Sequence, residues 1–312
     1  MSHAQSASDV LMIRPVRFAG NEQTAGSNKF QQLTANNDAS VQTRALAEFD
    51  AVAHALEAAG VNVHVFDDSF EPHTPDSIFP NNWVSFHDDG TVVLYPMLAE
   101  NRRLERRVDV LEALSAQHGF NVARVIDLSH HESSDKFLEG TGSLVLDRIN
   151  RIAYACISPR TDVEVLGDFS QRLDYDVVAF EACDRNGVPI YHTNVVMSVG
   201  TGFAVVCSPA IREDKRAAVL DALHAGGRIV VELSLDQMEN FAANVLELRS
   251  ASGERVLAIS ARALRSLNAS QDAALREQVD RIVAPDISVI ETLGGGGVRC
   301  MLAEIFLKRK AP

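Results

Sequence analysis

A cysteine follows a run of four glycines close to the end of the chain. The segment GGGGVRCMLAEIF runs from Gly294 to Phe306 and contains Cys300. Four consecutive glycines cost conformational entropy on folding, so they indicate either a sharp bend or a ligand that approaches the main chain closely. Because a deprotonated cysteine is a strong nucleophile, Cys300 beside such a loop is a candidate for covalent catalysis. The alternative is that Cys300 is a small buried residue of the core.

Two other short segments contain side chains that can hold or transfer a proton. The segment YHTN contains His192, and an imidazole titrates near neutral pH, which suits a general acid and base. Glu139 lies directly before GTG, where its carboxylate can accept a hydrogen bond from a substrate nitrogen or from His192. A surface histidine and a turn carboxylate are the alternatives. We interpret the two residues as partners of Cys300 in proton transfer.

The overall composition argues against several classes of protein. The 312 residues carry a net charge of −13, which disfavours nucleic acid and anionic membranes as partners. The four cysteines lack C-x-x-C spacing, so neither disulfides nor a zinc site are predicted. No apolar window is long enough for a membrane span, and the N-terminus lacks the pattern of a signal peptide. We predict a cytoplasmic protein without a metal or cofactor, in which residues 1–9 form a disordered lead.

The chain contains a repeated pattern: an apolar strand, a polar or glycine-containing turn, and a second apolar strand. The repeats start near Asn82, Gly142, Asn194, Asn244 and Gly295, in steps of roughly 50 to 60 residues. A helical pattern follows the hairpins, and a further short strand then follows each helix. The helical patterns include Leu104, Val108, Leu111 and Leu114, and the short strands are ARVIDLS, DVVAFEA, RIVVELS and ISVIETL.

The two ends of the chain complete this pattern. We predict strands over residues 10–17 and 62–66, a helix over residues 43–59, and a C-terminal strand over residues 298–307 that has no helix after it. Pairing of the two terminal strands would make a fifth unit. The fold class predicted is therefore α/β, a five-bladed α/β-propeller of five ββαβ units in a closed ring, with residues 10–308 as a single domain.

In such a ring, the segments that could do chemistry occupy equivalent positions. FPNN at 79–82, EGTG at 139–142, YHTN at 191–194 and the glycine run each precede the first strand of a repeat. We therefore expect residues that are far apart in sequence to meet at the mouth of the central channel.

These motifs together resemble those of one enzyme superfamily. GGGGVRCM is similar to the cysteine motif of arginine deiminases and their relatives, the guanidine-modifying superfamily with the pentein fold. PDSIFPNNW at 75–83 resembles the substrate loop of dimethylarginine dimethylaminohydrolases, LEG at 138–140 the Glu-Gly-Gly element, and YHTN the catalytic histidine motif. GTGS departs from the Gly-Gly-Asp of the family. The resemblance covers residues 10 to 308 and is nearest to the bacterial citrulline utilisation hydrolases, which are related to amidinotransferases.

The resemblance implies roles for individual residues. Cys300 would be the nucleophile, His192 the general acid and base, and Glu139 the acidic catalytic residue. Asp76 would hold an α-ammonium group, whereas its alternative is a turn residue after Pro75. The residues implied to contact the substrate are Asp76, Phe79, Asn81, Asn82, Arg102, Arg160 and Asn194.

Two of these residues are arginines that the resemblance assigns to the substrate carboxylate. A guanidinium suits a carboxylate because its N–H donors can bind both oxygens. The alternatives are a solvated residue at a helix N-terminus for Arg102 and a surface residue for Arg160. A cation is unfavourable at a helix N-terminus, which favours the functional interpretation of Arg102.

The main departure from the family concerns charge around the reacting group. Relatives that act on arginine-type cations surround the guanidinium with carboxylates, because a buried cation without them is costly. Here Asn81, Asn82, Asn194 and Gly295 occupy those places, and Glu139 is the acid that remains. An amide both donates and accepts hydrogen bonds, so it suits a neutral ureido group. The amino acid with such a group is citrulline.

We therefore predict an enzyme that hydrolyses citrulline to ornithine, ammonia and carbon dioxide through a covalent Cys300 intermediate. One alternative is an arginine deiminase or dimethylarginine dimethylaminohydrolase that acts on a guanidino group. Transfer of an amidino group to an amine is another. A non-catalytic binding protein on the same fold is an alternative of a different class. The oligomeric state is left open, with a homodimer among the alternatives.

Overall fold

A computed structural model describes residues 3–32 and 39–310. Within these ranges, fifteen strands form five separate three-stranded sheets. The strands are β1 Asp9–Arg14, β2 Asn62–Asp67, β3 Val84–Phe86, β4 Thr91–Leu94, β5 Arg124–Asp127, β6 Leu144–Asp147, β7 Ile152–Cys156, β8 Asp176–Phe180, β9 Met197–Val199, β10 Phe203–Val206, β11 Ile229–Glu232, β12 Leu246–Arg249, β13 Arg255–Ala258, β14 Arg281–Val283 and β15 Ala303–Ile305.

All five sheets share one topology. The middle strand pairs antiparallel with the strand on one side and parallel with the strand on the other. In the first sheet, β1 pairs antiparallel with β15, with Val10 opposite Glu304, and parallel with β2, with Val10 opposite Val63. The predicted pairing of the terminal strands is therefore confirmed. It joins the segment that follows Cys300 to the start of the chain.

Helices connect the strands. They are α1 Glu22–Ala25, α2 Ala39–Ala58, α3 Glu100–Arg103, α4 Val108–Ala116, α5 Gly140–Ser143, α6 Val163–Leu173, α7 Thr193–Val196, α8 Glu213–Ala225, α9 Leu235–Glu239, α10 Ala261–Ser266, α11 Ala269–Arg276 and α12 Ser288–Gly294. Four 3₁₀ turns add Pro80–Asn82, Ser129–Ser134, Ser208–Ala210 and Val298–Met301.

The longer helices follow from caps and apolar spacing. In α6, the side chain of Asp162 accepts hydrogen bonds from the main-chain N–H groups of Glu164 and Val165, which would otherwise lack partners at the helix start. The buried positions Val165, Phe169 and Leu173 are spaced four residues apart, so they lie on one face. Burial of this face fixes the helix against the third sheet.

Contacts between sheets run through the strands that carry the short turns. β15 contacts β3, and β9 contacts both β6 and β12. These are the antiparallel edge strands that follow the segments singled out in the sequence. Packing of these strands against one another places the segments close together.

One predicted strand is wrong, and another is correct only in its second half. ISVIETL is helical as α12, because Ile287, Ile290 and Leu293 are buried at a spacing of three residues. The strand of that repeat is β14, which lies earlier in the chain. The predicted strand 298–307 begins with the 3₁₀ turn Val298–Met301, and β15 covers its second half. Cys300 therefore lies on a tight turn.

The helical pattern from residue 104 to residue 114 is correct in part. Leu111 and Leu114 are buried in α4, but Leu104 and Val108 are exposed. α4 begins at Val108, so Leu104 lies between two helices and does not belong to the same apolar face.

The prediction of a disordered lead over residues 1–9 is wrong for the part that the structure describes. Gln5, Ser6 and Ala7 are buried, and Asp9 begins β1. The Gln5 side chain donates to the main-chain oxygens of Leu146 and Val199. A polar segment can be ordered in this way when neighbouring strands offer free main-chain groups. The single domain over residues 10–308 stays a prediction. Among the described residues, no helix combines the length and the apolar character that a membrane span requires.

Candidate active site

Four short turns bring the candidate residues together. Each turn directly precedes the first strand of its sheet: Pro80–Asn82 before β3, α5 before β6, α7 before β9 and Val298–Met301 before β15. The turn Pro80–Asn82 contacts both α5 and Val298–Met301, and α5 contacts α7. The expectation that these distant segments meet is therefore confirmed.

The Cys300 sulfur lies between two asparagine amides. Asn194 Nδ2 donates to Sγ at 3.5 Å and Asn244 Nδ2 donates to it at 3.4 Å. Cys300 is 4% exposed, and this burial raises the pKa of its thiol, although Asn244, the charge of Arg299 and Asn194 oppose the rise. At neutral pH the resting side chain is therefore a thiol, and attack requires a base.

The other cysteines differ in environment. Burial raises the pKa of Cys156 to about 12 and that of Cys207 to about 11. Neither residue lines the cavity that Cys300 borders. Buried thiols with raised pKa values are poor nucleophiles, so these two cysteines are suited to the core.

The glycine run is explained by close packing of the main chain. Gly295 has φ of +65°, and a Cβ there would lie 2.5 Å from Asn28 Nδ2. A Cβ on Gly297 would lie 2.6 Å from Asn244 Oδ1. Both distances are too short for a side chain, so glycine is required at both positions. The close approach inferred from the sequence is made, at these two positions, to side chains of the protein itself.

His192 and Glu139 form a buried pair. His192 Nε2 lies 2.8 Å from Glu139 Oε2, and both residues are at most 3% exposed. Because an ionised carboxylate can only accept, Nε2 carries the proton and Nδ1 is the basic nitrogen. Burial lowers the pKa of His192 to about 4, although Glu139 acts in the opposite direction. His192 is therefore neutral at pH 7 and can take up a proton.

Three cationic or polar groups hold Glu139 in the ionised form. Burial opposes ionisation, but Arg160, His192 and Arg102 together keep the pKa of this carboxyl well below its ordinary value. Arg160 NH1 donates to Oε2 at 3.2 Å, and the main-chain N–H of Leu98 donates to Oε1 at 3.1 Å. Glu139 thus fixes the orientation of His192 and has its own charge balanced by arginines.

Residues 21–32, here called the cover segment, lie over the site. Ser27 Oγ accepts from Arg160 NH2 at 2.7 Å, and Asn28 Nδ2 donates to Gly295 O at 3.2 Å. Asn21 Nδ2 donates to Asp76 Oδ2 at 2.8 Å. The cover segment therefore contacts three of the walls that surround the cavity.

Asp76 presents a carboxylate oxygen to this region. Its Oδ2 accepts from Asn21, whereas Oδ1 is buried and has no hydrogen-bond partner within residues 3–32 and 39–310. Asp76 is 2% exposed and lines the cavity. An unpaired buried carboxylate oxygen is costly, so this atom is suited to accept from a substrate ammonium.

Arg102 is held by an acid that the sequence did not single out. Its Nε and NH2 donate to the two oxygens of Glu105 at 2.9 and 2.8 Å. Its NH1 donates to Asn82 Oδ1 at 2.8 Å. Arg102 is buried in the last turn of α3, so the alternative of a solvated helix N-terminus is wrong.

Asn81 and Asn194 lie beside the site rather than on the wall of the cavity. The cavity has about 260 Å³ of empty space and is lined by Asn28, Asp76, Phe79, Asn82, Arg102, Arg160, Tyr191, His192, Gly294, Gly295, Gly296 and Cys300. Both amide atoms of Asn81 and the Oδ1 of Asn194 are buried without a hydrogen-bond partner in the described part of the chain. Their assignment to substrate contact stays a prediction.

Several residues at the site were missed by sequence reasoning. Asn244, Glu105, Tyr191 and Asn21 all contact predicted residues. A signal existed for Asn244, because it starts the fourth repeat at the position equivalent to Asn194 in the third. Glu105 lies in a charged stretch, and nothing in that stretch distinguishes a buried acid from a solvated one.

A family model describes most of the chain. Residues 14–307 match the family described as N,N dimethylarginine dimethylhydrolase, eukaryotic. The chain belongs to this family. The assignment to the guanidine-modifying superfamily is thereby confirmed, and the enzyme is a hydrolase of non-peptide carbon–nitrogen bonds. A search of the curated proteins gave no match.

Solved structures support the fold of this dimethylarginine dimethylhydrolase family member. The N-terminal domain of ArgZ, a cyanobacterial arginine dihydrolase, superposes with a TM-score of 0.73 at 18% identity, and the match covers 96% of this chain and 99% of that chain. AgrE in a binary complex with L-arginine gives 0.73 at 16% identity, over 95% of this chain and 40% of that chain. DDAH from Pseudomonas aeruginosa, complexed with citrulline, gives 0.66 at 15% identity, over 96% and 100% of the two chains. At these identities the likeness concerns the fold.

Proposed function

We propose that this enzyme hydrolyses the ureido group of citrulline, in which Cys300 is the nucleophile and His192 the general acid and base. The net reaction consumes one water and gives ornithine, ammonia and carbon dioxide. The oxygen acceptor of the ureido group distinguishes it from a guanidinium, which has donors alone. The proposal therefore depends on what the protein presents to that atom.

The orientation of the Asn82 amide is the observation that carries the proposal. Arg102 NH1 donates to Asn82 Oδ1 at 2.8 Å, and a guanidinium cannot accept, so the amide cannot be reversed. Asn82 Nδ2 is left buried, without a hydrogen-bond partner among the described residues, in a side chain that lines the cavity. An N–H donor fixed in this orientation can donate to the ureido oxygen. Against a guanidinium it would face other N–H donors and find no acceptor.

The charge balance around Glu139 supports the same conclusion. Its carboxylate is already paired with Arg160 and His192 and lies 3.9 Å from Arg102 NH1. A guanidinium placed against Glu139 would be a third cation beside Arg160 and Arg102 and would be repelled by both. A neutral substrate group avoids that cost.

The covalent steps follow from the two neutral catalytic side chains. His192 Nδ1 takes the thiol proton, Sγ bonds to the ureido carbon, and the protonated imidazole gives its proton to the nitrogen that leaves. Water then attacks the Cys300-bound carbon with His192 as base, and the thiolate is released. The resulting carbamate decomposes to carbon dioxide and the second amine, which breaks the remaining carbon–nitrogen bond.

Two charged residues are suited to bind the α-ammonium and α-carboxylate groups of the substrate. Asp76 Oδ1 would accept from the α-ammonium group. Arg160 now donates to the Ser27 hydroxyl and the Thr24 carbonyl, neutral acceptors that a substrate carboxylate can replace. One edge of the Arg102 guanidinium, Nε and NH2, is bound to Glu105, and NH1 donates to Asn82, so we assign Arg102 to the orientation of Asn82 instead of to the substrate carboxylate.

Ornithine and ammonia release should be measured from citrulline, arginine and methylarginines in parallel. We expect citrulline to be hydrolysed and arginine to be rejected by a factor of about 10⁴, because the wrong group leaves buried polar atoms unpaired. Asn82→Asp should depress citrulline turnover, since it replaces the donor with a carboxylate. As a matched control, Asn268→Asp on the surface should leave turnover unchanged.

The family description favours a second candidate, a guanidino substrate. The same assay separates the two when citrulline and dimethylamine are also measured, because a dimethylarginine dimethylaminohydrolase releases these products and gives neither ornithine nor ammonia. A deiminase would release one ammonia from arginine and leave citrulline, and a dihydrolase would release two per ornithine. Fast turnover of arginine or a methylarginine, with citrulline untouched, would contradict our proposal.

We also interpret the five sheets as the closed ring predicted from the sequence. The contacts of β15 with β3 and of β9 with β6 and β12 support it. In that arrangement the cavity lies at the mouth of the central channel, where turns from several sheets meet.

A further inference from the structure

The amide of Asn244 makes the shortest hydrogen bond to the candidate nucleophile and has been given no role above. Its Nδ2 lies 3.4 Å from Cys300 Sγ and its Oδ1 lies 3.7 Å from the same atom. Asn244 is 1% exposed, so the contact is shielded from water. Among the described residues, the side chains that donate to this sulfur are Asn244 and Asn194.

The orientation of this amide is fixed by the main chain. Asn244 Nδ2 also donates to the carbonyl oxygen of Asn194 at 3.0 Å. A carbonyl can only accept, so a reversed amide would leave it without a partner. The N–H donor is therefore held toward the sulfur.

This arrangement serves both protonation states of the cysteine. A thiol can donate its S–H to Oδ1, and a thiolate can accept from Nδ2, so the side chain need not rotate when the proton leaves. Hydrogen bonds to an ionised acceptor are stronger than those to a neutral one, so the contact favours the thiolate.

Arg299 and neutral His192 direct their N–H groups to partners other than the sulfur, although the charge of Arg299 also favours the thiolate. The guanidinium of Arg299 donates to Leu302 O at 2.9 Å and to Glu304 Oε2 at 3.1 Å. The proton on His192 Nε2 is directed to Glu139.

We propose that Asn244 is a catalytic residue that stabilises the Cys300 thiolate by its Nδ2–H hydrogen bond. The proton of the thiol leaves to a base, and no covalent bond to Asn244 forms or breaks. This inference rests on the covalent mechanism proposed above, but it does not depend on which substrate is used.

The test is the rate at which iodoacetamide alkylates Cys300 as a function of pH, followed by mass spectrometry of the labelled peptide. Asn244→Ala should move the midpoint by about one pH unit to the alkaline side, which is about tenfold slower labelling below the midpoint. Asn244→Asp should move it further, because a carboxylate adds negative charge beside the sulfur.

Controls distinguish a local effect on Cys300 from a general loss of packing in the protein. Asn268→Asp makes the same change at a helix cap on the surface, where either residue is suitable, and should leave the midpoint unchanged. Asn244→Asp keeps the shape of the side chain, so its alkylation midpoint can be used as the test if Asn244→Ala does not fold. A wild-type midpoint in either folded variant would overturn the proposal, and so would an equal change in the labelling of Cys207. Absence of citrulline turnover would contradict the proposed function and leave this measurement valid.

Discussion

The ionisation of Cys300 is the central question at the scale of single residues. The sulfur is flanked by neutral amides, and its burial raises the pKa of the thiol above the ordinary value. His192 is neutral because burial lowers its pKa to about 4. The resting pair is therefore thiol and imidazole, and the proton must move before attack.

This pairing predicts a pH profile for kcat/KM with citrulline. The thiolate fraction grows tenfold per pH unit below the pKa, so kcat/KM should rise through neutral pH into the alkaline range. The acid limb caused by His192 should lie near pH 4, where the imidazole becomes protonated and can no longer accept a proton. Initial rates from pH 4 to 10 would measure this. An optimum near pH 5 with a fall above pH 7 would contradict a thiol resting state.

Residue types were enough to single out part of the candidate site. Cys300, His192 and Glu139 were recognisable because their chemistry and their neighbouring glycines stand out in the sequence. Asn82 was also recognised, but its role as a fixed donor depends on Arg102 and Glu105. Those contacts arise from packing and leave no trace in local spacing.

At the scale of elements, α12 connects the last repeat to the glycine run and carries a buried acid. Glu291 is fully buried, and among the described residues its oxygens make no hydrogen bond of good geometry, although the Ser260 side chain lies close enough to favour the ionised form. Arg262 NH1 lies 4.0 Å away. Burial raises the pKa of Glu291 to about 7, against an ordinary value of 4.5. The helix is therefore most stable with this side chain protonated.

This shift predicts that Glu291→Gln stabilises the protein at alkaline pH. The folded-state pKa is raised, so the contribution of the bound proton is complete below pH 4.5 and is lost as pH rises through about 7. Above that range ionisation costs about 3 kcal/mol, which a neutral glutamine avoids. Denaturant unfolding should show the variant as more stable at pH 8.5 and nearly equal to the wild type at pH 5.

The exposed residue Glu277 supplies a matched control. Glu277→Gln should leave the free energy of unfolding within a few tenths of a kcal/mol at both pH values. Equal free energies of unfolding for the wild type and Glu291→Gln at pH 8.5 would mean that neighbouring groups stabilise the charge of ionised Glu291 in the folded state.

At the scale of the whole molecule, the first residues join several sheets. Gln5 donates to Leu146 O in the third sheet and to Val199 O in the fourth, and it accepts from the main-chain N–H of Arg148. Ser6 donates to Glu247, which belongs to β12 of the fifth sheet. The short segment that contains Gln5 and Ser6 therefore forms hydrogen bonds with the edge strands of three sheets.

Gln5→Ala should therefore destabilise the protein by about 1–3 kcal/mol, because three buried main-chain groups would lose a partner. The melting temperature by circular dichroism would measure the loss. Gln117→Ala, on the exposed end of α4, is the control and should change the melting temperature little. An unchanged melting temperature in Gln5→Ala would show that the segment is dispensable for stability.

The sequence by itself determined the number of repeats, the pairing of the terminal strands and the segments that carry chemistry. These features depend on periodicity, composition and short motifs, which are local properties of the chain. ISVIETL and the turn at Cys300 show where local patterns fail, because burial of Ile290 and Leu293 on one helix face outweighed the strand preference of the β-branched Ile287, Val289 and Ile290.

Tertiary structure alone decided the electrostatics of the site. The partners of Arg102, the direction of the Asn82 amide and the contact of Asn244 with Cys300 join residues that are distant in sequence or indistinguishable from surface residues. Hydrogen-bond direction is set by which partner can donate, and a pKa is set by burial and neighbouring charge. Both are properties of the folded chain, since they exist only once the turns of different sheets have been packed together.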